Sequence, residues 1–234
     1  MAEQLILDLP HRVAMGRDDF LVSAANAEAV AGIDDWRGWT HGSAVLVGPE
    51  ASGKTHLAHV WAEMSGARVI AAAALDEAAL DRLIDAPAVV VEDAERRGED
   101  AGVETRLFHL MNAQAGGRGH ILLTARSRPA AWGLRLPDLA SRAAQARLLP
   151  IGAPDDGLLA AVMVKLAADR GLSLSPEAVS YALMRCERSF AAIADLVDRL
   201  DRAAVTRQKA PNRALLKTLL EPGEPGSTDP GSAG

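Results

Sequence analysis

The chain has 234 residues, of which 24% are charged and 49% hydrophobic, and its formal net charge is −6. This composition excludes global disorder, and the acidic balance argues against broad, sequence-independent binding to nucleic acid. A single cysteine, Cys186, excludes an intramolecular disulfide, while no apolar run is long enough for a membrane helix and no basic segment marks a secretory signal. We therefore expect a cytoplasmic protein without membrane contact.

Residues 1–12 contain a glutamine followed by alternating leucines, in the run Gln4-Leu5-Ile6-Leu7-Asp8-Leu9. The segment is too short to fold alone. In an extended conformation, Gln4 can bind a small polar pocket of a partner while Leu7 and Leu9 fill an apolar one. The alternative is an edge strand that packs on its own domain.

Residues 13–152 are predicted to form an α/β domain. A helix is expected over 20–33, and after it short apolar runs alternate with helical segments, which is typical of a parallel sheet with helices on both faces. The predicted strands are 44–47, 68–72, 88–91, 120–124 and 147–149. Helices are predicted over 54–64, 76–84 and 103–114, and another begins at Pro137.

Residues 153–220 contain no strand-like run and are predicted to form a small all-helical domain. The thiol of Cys186 is most simply a small core residue there. Residues 221–234 are rich in Pro, Gly, Ser and acidic residues and lack a large apolar side chain, which predicts a disordered tail. The predicted helices are 155–170, 176–186, 190–207 and 212–220, with Ser175 as an N-cap before Pro176.

Residues 48–55 match the phosphate-loop pattern G-x-x-x-x-G-K-[ST] in full. A predicted strand before them and a predicted helix after them distinguish a phosphate loop from a chance glycine-rich turn. The glycines let backbone N–H groups face the β-phosphate, Lys54 bridges the β- and γ-phosphates, and the Thr55 hydroxyl is offered to Mg²⁺. We therefore predict that the chain binds ADP or ATP with Mg²⁺. The predicted nucleotide-binding residues here are Gly48, Pro49, Glu50, Ala51, Ser52, Gly53, Lys54, Thr55 and the adjacent His56.

Polar residues at the ends of two later strands extend this predicted site. The strand at 88–91 ends in Glu92 and Asp93, the pattern of a Walker B element, and Glu92 is assigned to Mg²⁺ together with Thr55. The usual order is Asp first and then the second acid. Here the first side chain, Glu92, is longer than usual and the second, Asp93, is shorter. Because Mg²⁺ requires tight geometry, we expect slow or absent ATP hydrolysis. The alternative is two acids that only cap a strand. Thr124 ends the next strand, where its hydroxyl either reads the γ-phosphate or satisfies the strand end.

Two other pairs near the predicted site have a simpler structural interpretation. His56 and His59 lie three apart on one predicted helix, but no third ligand is visible in the sequence, so helix positions without metal are expected. Trp36 and Trp39 flank a glycine before the first strand, where they could wall an adenine pocket. Plain packing is the simpler interpretation of this pair.

Taken together, the phosphate loop, the acidic strand end, the Thr124 strand and the helical carboxyl-terminal lid resemble an AAA+ ATPase. Within that class, residues 134–142 (LRLPDLASR) and 196–203 (LVDRLDRA) closely resemble segments of the Hda family, bacterial regulators of the replication initiator DnaA. The resemblance covers roughly residues 3 to 220. The fold that it implies is an AAA+ parallel-sheet base followed by a helical lid.

The resemblance implies partners as well as a fold. Gln4, Leu5, Leu7 and Leu9 correspond to the peptide with which this family docks on the DNA-loaded β sliding clamp of DNA polymerase III, so that DNA is contacted only indirectly. The docked protein then stimulates hydrolysis of ATP bound to DnaA, which prevents a second initiation. The family's arginine finger falls on Arg142, which would act in trans, and the chain's own ADP would be a structural ligand. A homo-oligomer is left open.

This sequence departs from the AAA+ pattern in the lid. An arginine near the start of the helix at 190 normally contacts the nucleotide phosphates. Here that position is Ala191, and Arg188 lies one turn earlier, so either Arg188 binds the phosphates or the contact is absent. Together with the order of Glu92 and Asp93, this makes strong intrinsic ATPase activity unexpected.

Three other functions remain as alternatives. An autonomous ATPase that remodels a partner is disfavoured by Glu92 and Ala191. A helicase loader gives no reason for the peptide from Gln4 to Leu9. An origin-binding initiator needs a helix-turn-helix domain, and little chain follows the last predicted helix.

Overall fold

A five-stranded parallel sheet forms the centre of the larger domain. The structure, a computed structural model, describes residues 21–96, 100, 102–207, 216 and 218. The predicted amino-terminal peptide and the predicted tail lie outside these residues. The strands are β1 (Ser43–Val47), β2 (Arg68–Ala71), β3 (Ala88–Glu92), β4 (His120–Ala125) and β5 (Arg147–Pro150), in the order β2-β3-β4-β1-β5. The helices are α1 (Ala27–Asp34), α2 (Lys54–Ser65), α3 (Glu77–Leu83), α4 (Val103–Ala113), α5 (Pro137–Gln145), α6 (Asp156–Asp169), α7 (Pro176–Leu183) and α8 (Phe190–Arg207).

The predicted α/β fold with a helical lid is confirmed, and the order of the strands brings three chain segments to one edge. β1 pairs with β4 so that Leu46 lies opposite Thr124, and β4 pairs with β3 so that Leu123 lies opposite Val91. Because the strands are parallel, the residues that follow β1, β3 and β4 leave the sheet at the same edge. This edge therefore collects the phosphate-loop residues, the acids after β3 and the polar end of β4.

Successive side chains of the central strands are buried on opposite faces of the sheet, which explains their almost continuous apolar sequences. On one face, Val45 packs in the same cluster as Leu107 of α4 and Leu139 of α5. On the other face, Leu46 packs with Leu57 of α2. The helix that begins at the phosphate loop and helix α5 therefore belong to different layers.

A tryptophan cluster lies at the opposite, amino-terminal edge of the sheet. Trp39 stacks on Trp61 with ring centroids 5.1 Å apart, and its Nε1–H donates to the Gly32 carbonyl at 2.7 Å. Trp36 packs edge-on against His120, the first residue of β4, at 4.7 Å. Trp36 and Trp39 precede β1, whereas the phosphate loop follows it. The pair fills the core, as the packing interpretation predicts.

Helix α1 is shorter than predicted. It begins at Ala27, so the prediction of helix is wrong for residues 21–26. The reason is a side-chain bond: Asn26 Oδ1 accepts from the Ser23 N–H at 2.8 Å, and such local bonds compete with helix formation. The same turn ties the base to the segment before the lid, because the Gly152 N–H donates to the Ala25 carbonyl at 2.7 Å.

Helices α6, α7 and α8 pack around a core of their own. Met163 is fully buried there, and the Cys186 thiol packs at the margin. Leu216, which lies in the helix predicted over 212–220, is buried in the same core. The predicted N-cap is confirmed, since Ser175 Oγ accepts from the Ala178 N–H at 3.2 Å. Within the described ranges, none of the helices combines the length and apolar character needed to cross a membrane.

Candidate functional site

The phosphate-loop residues form a tight turn between β1 and α2. Ala51 and Gly53 have φ values of +56° and +89°, and α2 begins at Lys54. This left-handed conformation suits glycine and strains other residues. Gly48 has no room for a side chain, because a Cβ there would lie 2.2 Å from the Ile151 carbonyl oxygen. The two glycines of the motif therefore serve a close approach at Gly48 and a left-handed backbone at Gly53.

The Lys54 side chain folds back over this loop. Its Nζ donates to the carbonyl oxygens of Gly48 at 2.8 Å and Pro49 at 2.6 Å. The residue is only 9% exposed. Burial lowers the pKa of the Lys54 ammonium below its ordinary value, an effect that the nearby carboxylate of Glu95 opposes. A cation that has lost hydration in this way favours an anionic ligand beside it.

Ser52 Oγ, Glu92 Oε1 and Glu95 Oε2 are buried polar atoms at this edge that have no hydrogen-bond partner among the residues that the structure describes. Buried polar atoms in native proteins are nearly always paired with protein, water or ligand. Thr55 is exposed in the first turn of α2, and Glu92 is the last residue of β3. A hydroxyl and a carboxylate are oxygen ligands of the kind that Mg²⁺ prefers, and loop N–H groups at a helix start suit a phosphate. The residues present therefore fit a nucleotide with Mg²⁺.

The two acids after β3 differ in environment. Both residues are half-buried, but Glu92 Oε1 is buried, whereas the Asp93 side chain is 47% exposed, with Oδ2 lying 4.0 Å from Arg96, and Asp93 has a φ of +50°. The Asp93 N–H donates to Thr124 Oγ1 at 3.0 Å. The threonine hydroxyl thus satisfies the end of the neighbouring strand, which is one of its two predicted roles.

Sequence reasoning missed two charged residues at this edge, Glu95 and Arg126. Arg126 directly follows β4, and its guanidinium forms an ion pair with Glu50 of the phosphate loop at 2.8 Å. Its backbone N–H donates to Glu95 Oε1, also at 2.8 Å. The sequence indicated these two site residues only by their position, because each follows the end of a buried strand by no more than three residues.

The histidines after the loop are helix side chains. His59 Nδ1 lies 2.8 Å from the Thr55 carbonyl oxygen, within hydrogen-bond distance, and His56 is half-buried one residue after Thr55. Across the described ranges, no group of three or more His, Cys, Asp or Glu side chains is arranged to hold a metal ion by itself.

The lid meets the phosphate loop through Phe190, the first residue of α8. A Cβ at Gly53 would lie 3.1 Å from the Phe190 ring. Arg188 is exposed and pairs with Asp156 at the start of α6, with Nε 3.1 Å from the carboxylate. Ala191 is exposed and offers no polar side-chain atom. Arg188, the arginine that precedes α8, is therefore engaged within the lid.

Arg142 lies on α5, on the face of the sheet opposite to α2. It is half-buried, and no hydrogen bond or ion pair joins it to another residue that the structure describes. The helix start is held by Glu104 of α4, whose Oε2 accepts from the N–H groups of Arg135 at 2.9 Å and Leu136 at 2.8 Å. Glu104 is only 9% exposed, so this anchor is shielded from water.

A family model described as the lid domain of Hda matches residues 155–220. An uncharacterised protein of Haemophilus influenzae is 26% identical over 182 residues, which cover 74% of this chain and 79% of that protein. The similarity therefore extends beyond the lid into the base.

Solved structures of DnaA and RuvB share the fold. Domain III of the replication initiation protein DnaA from Thermotoga maritima aligns with a TM-score of 0.77 at 15% identity, over 88% of this chain and 95% of that chain. AMPPCP-bound DnaA from Aquifex aeolicus aligns with a TM-score of 0.69 at 14% identity, over 82% of this chain and 67% of that chain. The Holliday junction branch migration motor RuvB of Thermotoga maritima aligns at 0.63 and 18% identity, over 82% and 64%. These likenesses show the AAA+ fold.

Proposed function

We propose that the chain is an Hda-family, DnaA-related AAA+ protein that stimulates hydrolysis of DnaA-bound ATP while docked on the DNA-loaded sliding clamp. Conversion of DnaA to its ADP form then prevents a second initiation. The proposal has three parts, which rest on different residues: a nucleotide held as a structural ligand, a clamp-binding peptide and an arginine that acts in trans.

The nucleotide part is supported by the loop geometry and by the unpartnered buried oxygens. We assign the phosphates to residues 48–55 and Mg²⁺ to Thr55 and Glu92, with ADP as the expected resident nucleotide. A bound phosphate supplies the counter-charge for the Lys54 ammonium, which is now held by loop carbonyls. Phe190 packs directly against this loop, so an ordered loop also fixes the start of the lid.

The clamp part rests on the amino-terminal pattern together with the Hda-type lid. Gln4, Leu5, Leu7 and Leu9 would bind the β clamp of DNA polymerase III as an extended peptide, although they lie outside the described residues. Contact with DNA would be indirect, in agreement with the net charge of −6.

One observation supports the trans role above the others: Arg142 has no partner within the described part of the chain, on a helix anchored by a buried carboxylate. Its layer is also separate from α2, so it is better placed to serve a neighbour's nucleotide than its own. In the DnaA site, the guanidinium would stabilise charge developing on the γ-phosphoryl oxygens. Arginine fingers raise hydrolysis rates by roughly 10³–10⁵ in other NTPases.

Hydrolysis of DnaA-bound ATP, measured with DNA-loaded clamp and the full chain, tests the proposal. We expect stimulation by the wild type, and loss of stimulation in the double variant Leu7→Ala/Leu9→Ala. Asp8→Ala is the matched control, because its side chain alternates away from the leucines in an extended peptide. Absence of stimulation by a folded, ADP-bound wild type would contradict the proposal and favour an autonomous ATPase.

A further inference from the structure

Arg126 is a second cation at the phosphate-binding edge. It follows β4 directly, and its backbone is held by the Glu95 carboxylate at 2.8 Å. Its guanidinium reaches across to the phosphate loop, where it pairs with Glu50 at 2.8 Å. The residue therefore links the end of β4 to the loop that starts α2.

Lys54 and Arg126 lie close enough for their charges to interact. The positive charge of Arg126 adds to the effect of burial in lowering the pKa of Lys54. Two neighbouring cations repel each other, and negative charge beside them reduces that repulsion. In this structure the Glu50 carboxylate provides part of that charge, and its side chain is 73% exposed. An exposed ion pair of this kind contributes little net stability and is easily exchanged for another anion.

At the start of α8, within the described part of the lid, neither of the two positions considered for a phosphate contact offers a cation that is free of a carboxylate. Ala191 occupies the position at which the lid arginine was expected, and Arg188 is paired with Asp156. Arg126, directly after β4, is therefore the described arginine that pairs with a residue of the phosphate loop.

We infer that Arg126 binds the nucleotide phosphates beside Lys54, and that the Glu50 carboxylate holds the same guanidinium when no nucleotide is present. This inference rests on the nucleotide-binding part of the proposed function. A planar guanidinium forms paired, charge-assisted hydrogen bonds to phosphate oxygens as it does to a carboxylate, so the exchange needs no new donor. Binding of nucleotide then releases Glu50 to solvent.

Binding of ADP and of AMP to the full chain, measured by calorimetry, tests this assignment. Arg126→Gln should weaken ADP binding about tenfold or more, the loss of one charge-assisted contact, and should weaken AMP binding less. Arg128→Gln is the matched control: it removes an exposed arginine two residues away and should leave ADP affinity unchanged. Circular dichroism melting verifies that each variant is folded.

A double-mutant cycle separates competition from simple repulsion. Glu50→Gln should tighten ADP binding several-fold, because it frees the guanidinium. In the Arg126→Gln background the same change should give no tightening. Tightening that persists there would mean that Glu50 acts only by repelling phosphate, and the proposed exchange would be wrong.

Two further results would overturn the inference. If Arg188→Gln weakens ADP binding and Arg126→Gln does not, then Arg188 of the lid, and not Arg126, binds the phosphates together with Lys54. If the folded wild type binds no ADP, the nucleotide part of the proposed function fails together with this inference. Failure to stimulate DnaA with ADP binding intact would instead count only against the trans role, so the two failures are distinguishable.

Discussion

The hydroxyl of Thr124 accepts a hydrogen bond from the backbone N–H of Asp93 at 3.0 Å. The carbonyl of the same threonine accepts the N–H of Ala94 at 2.9 Å, so one residue at the end of β4 holds the turn after β3 by two bonds. That turn contains the left-handed backbone of Asp93, which directly follows Glu92, the last residue of β3. The end of β4 therefore holds the turn in which the chain leaves β3.

The first prediction concerns this contact. Thr124→Val keeps the shape of the side chain but leaves the Asp93 N–H without its acceptor, so we expect a loss of about 1–2 kcal/mol in the free energy of unfolding. Thr124→Ser retains the hydroxyl and should keep most of that stability. Urea denaturation of the three proteins measures the difference, and a Val variant as stable as the wild type would show that the hydroxyl does not hold the turn.

The second prediction concerns the start of the phosphate loop. In Gly48→Ala the new Cβ would meet the Ile151 carbonyl oxygen at 2.2 Å. This backbone atom has little freedom, because the Ile151 N–H is itself bonded to the Val47 carbonyl at 2.8 Å. We expect destabilisation by about 2–3 kcal/mol together with loss of ADP binding.

Gly116→Ala is the control for that substitution. A Cβ at Gly116 meets nothing within 4 Å, and the residue lies in a helical turn, where alanine is favoured. Its stability should equal or exceed that of the wild type. If the two alanine substitutions change the free energy of unfolding equally, close packing does not explain why residue 48 is glycine.

The third prediction concerns the anchor of α5. Glu104→Gln removes the charge from the group that accepts from the Arg135 and Leu136 N–H groups, while its amide oxygen can still accept, so we expect a loss of about 1 kcal/mol in unfolding free energy. Because the change loosens the helix that carries Arg142, stimulation of DnaA should fall while ADP affinity stays constant. Glu77→Gln, which alters a carboxylate with a 76% exposed side chain, should affect neither. A parallel fall in ADP affinity would place Glu104 in the nucleotide site instead.

The fourth prediction concerns pH. Burial, with the positive charge of Arg37 as a second cause, lowers the pKa of His120 below its ordinary value of 6.5. Near pH 6.5, His120 is therefore protonated in the unfolded chain but still neutral in the folded chain. The free energy of unfolding consequently falls as the pH drops through that value. His120→Phe keeps the aromatic contact with Trp36 and should lose this part of the pH dependence. Denaturant midpoints at pH 7.5 and 5.5 measure it, and an unchanged slope in the variant would contradict the assignment.

The strands were predictable because a parallel strand covered on both faces must be apolar along its length. Each of the five observed strands agrees with its predicted bounds to within one residue. The phosphate loop could also be predicted from the sequence, because its residues form one short, continuous motif. The local backbone requires glycine at Gly48, where a side chain has no room, and favours it at Gly53, where φ is positive.

Other features depended on contacts that a linear pattern does not contain. Helix α1 starts late because Asn26 bonds to Ser23, although the apolar spacing continues before it. Arg126 becomes a site residue only because β4 lies next to β1, which brings its guanidinium to Glu50. The engagement of Arg188 with Asp156 likewise follows from the packing of α6 against α8 and not from either sequence segment.

The central claim is that Arg142 acts on ATP bound to DnaA. The most direct measurement is the rate of hydrolysis of DnaA-bound ATP with DNA-loaded clamp and either the wild type, Arg142→Ala or the exposed-arginine control Arg82→Ala. The account predicts a loss of stimulated rate of about a hundredfold or more in Arg142→Ala alone, with clamp and ADP binding retained. Stimulation by Arg142→Ala equal to that of the wild type would contradict it.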